Sequence, residues 1–104
     1  SSVIDVQEFV IYCDLYSIKI PQIISDSHLY EYLYGYWYTL SGWYFEVEEG
    51  YYDTNFDIYQ DVYYTHGQIR NYDTDKAIAN ISIKGFDRMI MNFNGRQYEM
   101  YRSY

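Results

Sequence analysis

The chain has 104 residues, is 49% hydrophobic and 23% aromatic, and carries a formal net charge of −8. That length supports one hydrophobic core, so residues 1–104 read as a single domain, and the apolar content excludes a disordered chain. The lone Cys13 excludes an internal disulfide, one cysteine with two histidines argues against a structural zinc site, and the acidity argues against direct nucleic-acid binding.

Asp5 followed by Glu8 three positions on fits a capping box with Asp in the usual Ser or Thr place. Val6, Phe9, Val10 and Cys13 then recur at helical spacing, which predicts an amphipathic helix over residues 5–16. The β-branched Val10 and Ile11 leave a strand as its competitor. Cys13 falls on the apolar face and reads as a small buried hydrophobe. Pro21 interrupts residues 18–24, making them a connector or an edge strand. Ser25, Asp26 and Ser27 offer caps for a second short helix over about 27–34, and Gly35 sits where a helix-ending glycine belongs. Residues 1–35 are thus read as a helical N-terminal segment.

From Tyr36 onward the period changes to two. Trp43, Phe45 and Val47 alternate with Tyr44, Glu46 and Glu48. Phe56, Ile58, Val62 and Tyr64 alternate with Asp57, Tyr59, Asp61 and Tyr63. Ala79, Ile81 and Ile83, then Met89, Met91 and Phe93, do the same with polar neighbours. Such runs are strands with one face in and one face out. Turn signals separate them at Ser41-Gly42, Glu49-Gly50, His66-Gly67, Asp73-Thr74-Asp75, Gly85 and Asn94-Gly95, the last being the strongest hairpin signal. The expected fold class is α+β: two short N-terminal helices, then over residues 36–104 an antiparallel β-meander of about seven strands, curled into a small barrel or a strongly bent sheet.

Three stretches carry a family resemblance. They are Gly35-Tyr36-Trp37, then Trp43-Tyr44-Phe45, and a closing pair formed by Ile81-Ser82-Ile83 and the hairpin from Arg88 to Arg102, whose last strand ends in Arg. Together they resemble the small bacterial lipocalin-like (calycin) domains over roughly residues 33–102, the two helices standing outside the pattern. The resemblance implies a small barrel, an internal apolar cavity and no catalytic residues.

The charge is uneven. Residues 1–66 hold eleven acids against the single Lys19, and residues 67–104 hold four acids against six bases. Acidity attracts basic partners and repels phosphate and anionic membranes, although it also serves plain solubility. No apolar run approaches the roughly 18 residues of a membrane-spanning helix. The chain opens at Ser1 without a methionine or a signal-peptide pattern, which reads as a trimmed or mature form and leaves its location open.

Catalysis needs matched groups. His28 and His66 have no recognisable neighbours and read as cap and turn residues; no phosphate-cradling loop, nucleophile elbow or Cys-x-x-Cys occurs. The chain is therefore read as a non-enzyme without a cofactor. Asp53, Asn55, Asp57 and Asp61 copy part of a calcium loop, but Ile58 replaces the turn glycine and Tyr64 the closing Glu. That segment reads as a polar turn entering a strand, and no metal residues are assigned.

Tyrosines and two tryptophans crowd residues 30–64, more rings than so small a domain buries. Tyrosine is rigid, amphipathic and enriched in recognition surfaces, and it also fills strand positions by propensity. The two alternating runs are expected to be adjacent strands, so Tyr44, Glu46 and Glu48 share an outward face with Asp57, Tyr59, Asp61 and Tyr63, at a pitch of about 6.7 Å. The candidate binding residues are these seven with Trp37 and Trp43. Two functions follow: a lipocalin-like module binding a small apolar or glycan ligand or a protein through an aromatic cavity or surface, or an acidic inhibitor that mimics nucleic acid and occupies a basic protein.

Overall fold

The structure, a computed structural model, describes residues 2–104; Ser1, on which the sequence opens, lies outside the described residues. The described residues form three helices and eight strands. The helices are α1 (Val3–Leu15), α2 (Gln22–Ser27) and α3 (Leu29–Leu33). The strands are β1 (Gly35–Tyr38), β2 (Tyr44–Glu48), β3 (Tyr51–Thr54), β4 (Val62–Thr65), β5 (Gln68–Asn71), β6 (Ala77–Ile83), β7 (Arg88–Phe93) and β8 (Arg96–Ser103).

The Ser2 hydroxyl, accepting from the Asp5 amide at 3.2 Å, caps α1. The helix therefore starts ahead of the predicted Asp5–Glu8 box, and Asp5 instead places its charge in the first turn, where the helix dipole favours it. Val6, Val10 and Cys13 are buried as the periodicity predicts, but Phe9 is exposed. The second predicted helix, about 27–34, is α3, and α2 is a further helix that begins in the stretch read as a connector or an edge strand. Pro21, with its fixed φ of −62°, starts α2 rather than forming an edge strand, and His28 leaves helical geometry between α2 and α3.

The strands form one antiparallel sheet in the order β3-β2-β1-β8-β7-β6-β5-β4. Chain neighbours pair everywhere except β3 with β4, and β8 returns to pair with β1. This is the ladder set of an eight-stranded up-and-down barrel with one ladder missing, curled into a half-barrel. The hairpins at His66-Gly67 and Asn94-Gly95 are two-residue loops with both φ angles positive, between 50° and 74°. They match the right-handed twist of the strands they join.

Eight strands replace the expected seven or so, and the run 56–64 is not one strand. The Asn55 side chain accepts from the Tyr44 amide (2.8 Å) and donates to the Gly42 carbonyl (2.9 Å). The Thr54 hydroxyl donates to the Tyr44 carbonyl (2.6 Å) and accepts from the Phe56 amide (3.0 Å). These bonds close the β2–β3 ladder and turn the chain inward. Phe56 and Ile58 are then buried from an irregular segment, and Tyr52 donates its hydroxyl to the Ile58 carbonyl. Asn55, one of the calcium-loop positions, thus spends its side chain on the hairpin itself, as does the neighbouring Thr54.

On the sheet's inner face Trp37, Phe45, Val47, Ile69, Ala79, Ile81, Met89, Met91, Phe93 and Met100 are buried. Val6, Val10, Ile24, Leu29, Tyr32 and Leu33 from the helices complete the same core. The predicted alternation holds along β2, β6 and β7.

Candidate binding surface

β1 and β8 join the two meanders, and their inner side is built around a cation. Trp37 pairs with Arg102 across the ladder, is fully buried, and donates its indole N–H to the Leu33 carbonyl at 2.9 Å. The Arg102 guanidinium lies 4.3 Å from the ring centroids of Trp37 and Phe86 and 5.3 Å from that of Tyr32. It donates from Nε to the Phe86 carbonyl (2.8 Å), from Nη1 to that of Tyr34 (2.8 Å) and from Nη2 to that of Tyr32 (2.5 Å). Two of these carbonyls belong to the C-terminal end of α3, the negative end of its dipole. Burial pulls the Arg102 pKa down to about 10, which leaves it cationic at neutral pH. Tyr32, fully buried, donates its hydroxyl to the Gly85 carbonyl at 2.6 Å, and burial pushes its phenol pKa up. Trp37 is therefore a core residue clamped from both sides, not a group presented to a ligand.

Trp43, half-buried, stacks on Phe56 with centroids 5.0 Å apart and meets the Tyr98 ring edge-on at 5.9 Å. It too supports the core.

The outer side of the same strands differs in kind. Tyr44, Glu46 and Glu48 lie on it as the alternation predicts. Their neighbours, however, are β1 and β3: Glu46 stands between Tyr36 and Asp53, and Glu48 opposite Tyr51. Asp57, Tyr59 and Asp61 are exposed in the irregular segment, because Phe56 and Ile58 take that segment out of the sheet. Tyr63 lies on β4, at the opposite edge of the sheet. The expected shared face of 44–48 with 57–63 is not formed. Asp61 instead shares a hydrogen bond with Asp73, which raises its pKa. The Tyr63 hydroxyl bonds to Asp75, which Arg70 also holds at 3.2 Å.

What β2 does join is a tyrosine and carboxylate face across β3, β2, β1 and β8. Tyr36 stacks on Tyr44 at 5.7 Å with planes 7° apart, and Tyr38 meets Tyr101 at 6.0 Å. Tyr44 donates its hydroxyl to Asp53 at 3.0 Å, and that bond raises its phenol pKa. The half-buried Glu46 carboxyl is raised first by desolvation, then by the charges of Glu48 and Asp53. Tyr51 is raised chiefly by Asp53. Among the described residues the ion pairs are His28–Glu31, Arg70–Asp75 and Arg88–Glu99; none reaches Glu46, Glu48 or Asp53. Nor do any three His, Cys, Asp or Glu among the described residues converge to hold a metal ion.

Sequence reasoning missed Asp53, Tyr36, Tyr38, Tyr51 and Tyr101 as members of this face. The Glu49-Gly50 turn was the available signal for two of them, since a two-residue loop there sets Tyr51 opposite Glu48 and Asp53 opposite Glu46. The β1–β8 pairing that brings in Tyr101 is non-local and leaves no local trace. Elsewhere a groove of about 620 Å³ runs between the α1–α2 connector and β6, lined by Ile18, Lys19, Pro21, His66, Ile83 and Lys84 among others. No helix among the described residues is long and apolar enough to cross a membrane. Comparison with protein-family models, curated proteins and solved structures gives no match.

Proposed function

We propose that this chain is a non-catalytic, lipocalin-like binding module that engages a basic protein through the tyrosine and carboxylate face of β3, β2, β1 and β8. The observation that carries this reading is the cluster of Glu46, Glu48 and Asp53, adjacent on one face and outside every ion pair among the described residues. Like charges side by side on a sheet cost stability, and a partner's Lys or Arg side chains would relieve that repulsion on binding. The stacked tyrosines add rigid contact area with little entropy to lose. A neutral glycan would use the rings but leave the carboxylate repulsion in place, so the charge favours a cationic partner.

Two observations support the lipocalin-like kinship. The Gly35-x-Trp37 motif and the Arg-ended last strand, the two ends of the resemblance, meet where Arg102 stacks over Trp37. The strand order is also that of an up-and-down barrel less one ladder. The inner face is occupied by Trp37, Phe45 and three methionines, which favours the outer face as the place of binding. The nucleic-acid mimic is a narrower form of the same reading. Its supports are fewer, because the row of acids it needs ends where Asp57 and Asp61 leave the sheet.

The test compares two triple variants of equal charge. Glu46→Gln/Glu48→Gln/Asp53→Asn should weaken binding of a Lys-rich peptide by about tenfold or more, whereas Asp57→Asn/Asp61→Asn/Asp73→Asn should change it little. Equal losses in both, or an affinity indifferent to salt, would overturn the assignment.

A further inference from the structure

α1 is apolar on nearly every side. Val6, Val10 and Cys13 face the core, yet Ile4 is 66% exposed, Ile11 44% and Leu15 72%, with Phe9, Tyr12 and Tyr16 exposed beside them. Ile4, Glu8, Ile11 and Leu15 fall on one line of the helix, at the spacing of a stripe that packs against another element. A helix apolar on all sides belongs in an interior, and a contiguous apolar patch of this kind marks an interaction surface.

The charges around the stripe have one sign. Asp5 flanks it on one side, Asp14 on the other and Glu8 stands within it, while no Lys or Arg occurs before Lys19. At the C-terminal end of the helix a notch of about 400 Å³ opens between Ile11, Leu15, Phe86 and Tyr104, rimmed by Asp14 and Asp87. The notch walls are tied together: the Asp14 carboxylate accepts from the Phe86 amide at 2.6 Å.

We infer that the outer face of α1 docks an amphipathic helix of another protein, one with an apolar seam flanked by Lys or Arg. The seam lies along Ile4, Ile11 and Leu15, and the flanking cations meet Asp5, Glu8, Asp14 and Asp87. The notch suits a long aliphatic stem ending in a cation, its methylenes against Leu15 and Phe86 and its head at the two aspartates. A second copy of this chain is the poorer occupant, because two such faces would set acid against acid between chains of net charge −8. This surface is separate from the β3-β2-β1-β8 face and does not depend on how that face is read.

The probe is a fluorescent amphipathic peptide of about 18 residues, long enough to be helical when bound, with a leucine seam and lysine flanks. Its partner probe has the flanks changed to glutamate. The lysine peptide should bind the full chain, lose about tenfold or more in affinity to Ile11→Ser/Leu15→Ser, lose less to Glu8→Gln, and keep its affinity for Glu46→Gln/Glu48→Gln/Asp53→Asn. The glutamate peptide should not bind. Both serine positions are exposed, so an unchanged thermal melt verifies that the variant is folded. Lysine-peptide binding that survives Ile11→Ser/Leu15→Ser would reduce the effect to general charge attraction and overturn the inference. Sedimentation of the wild-type chain as a dimer that this variant dissociates would overturn it in favour of self-association.

Discussion

The two faces of β1 and its neighbours treat charge in opposite ways. On the inner face Arg102 forms no ion pair among the described residues, yet its guanidinium reaches three carbonyls and lies against three aromatic rings. On the outer face, beyond β1, Glu46 and Glu48 of β2 and Asp53 of β3 stand together outside every ion pair among the described residues. A charge removed from water must be satisfied within the protein, because leaving it bare costs several kcal/mol. Charges at the surface are screened, and their mutual repulsion costs tenths. The inner arrangement is therefore read as a requirement of the fold. The outer one is tolerated by the fold, and its explanation is sought in what it meets.

The comparison breaks most readily at Arg102. Arg102→Met removes the donors to the Phe86, Tyr34 and Tyr32 carbonyls and should cost about 3–5 kcal/mol of stability by urea denaturation. Arg102→Lys keeps the charge but not the fork, and should fall between wild type and Met. A loss below about 1 kcal/mol for Met would mean that water or neighbouring donors replace the guanidinium, and the inner face would lose its special status.

A smaller effect is expected one step away. Gly35 has φ of 129°, and a Cβ there would lie 3.2 Å from Arg102 Nη1. Gly35→Ala should cost about 1–3 kcal/mol, part from backbone strain and part from displacing the guanidinium. Only the second part depends on Arg102, so the cost should shrink in the Arg102→Met background. A double-mutant cycle that closes to zero would show that strain alone is at work.

How much of this was legible in the sequence follows the range of the interactions. The period-two pattern located Phe45, Val47, Ile81, Met89 and Met91 in the core, and the Asn-Gly and His-Gly dipeptides located two hairpins, since both signals are local. The run 56–64 misled because Phe56 and Ile58 are buried for a reason other than strand geometry: they turn inward once Thr54 and Asn55 close the β2–β3 ladder. The candidate site shifted with them, from a face shared with Asp57, Tyr59, Asp61 and Tyr63 to one shared with Asp53 and the tyrosines of β1 and β8. Arg102 was visible only as the end of a resemblance. Its contacts reach back some seventy residues to α3, and no local pattern records them.

The smallest expected effect tests the outer face alone, and its sign decides. Desolvation and the charges of Glu48 and Asp53 raise the Glu46 carboxyl above its ordinary value of 4.5. The folded chain therefore holds that proton more readily than the unfolded one, and between 4.5 and the raised value stability falls as pH rises. At neutral pH the ionised Glu46 is a net cost, so Glu46→Gln should stabilise the chain by about 0.3 kcal/mol, screened as a surface effect. Below pH 4.5 the carboxyl is protonated in both states and the advantage of Gln should vanish. Asp75 provides a contrast of opposite sign. The Tyr63 hydroxyl, then Arg70, hold its carboxyl below the ordinary 3.8, so its contribution is present above that value and is lost as pH falls through the lowered one. Denaturation of wild type and Glu46→Gln at pH 7 and pH 4 separates the two. A destabilised Gln variant at pH 7 would mean that Glu46 is already stabilised within the fold, and the outer face would then differ from the inner one in degree only.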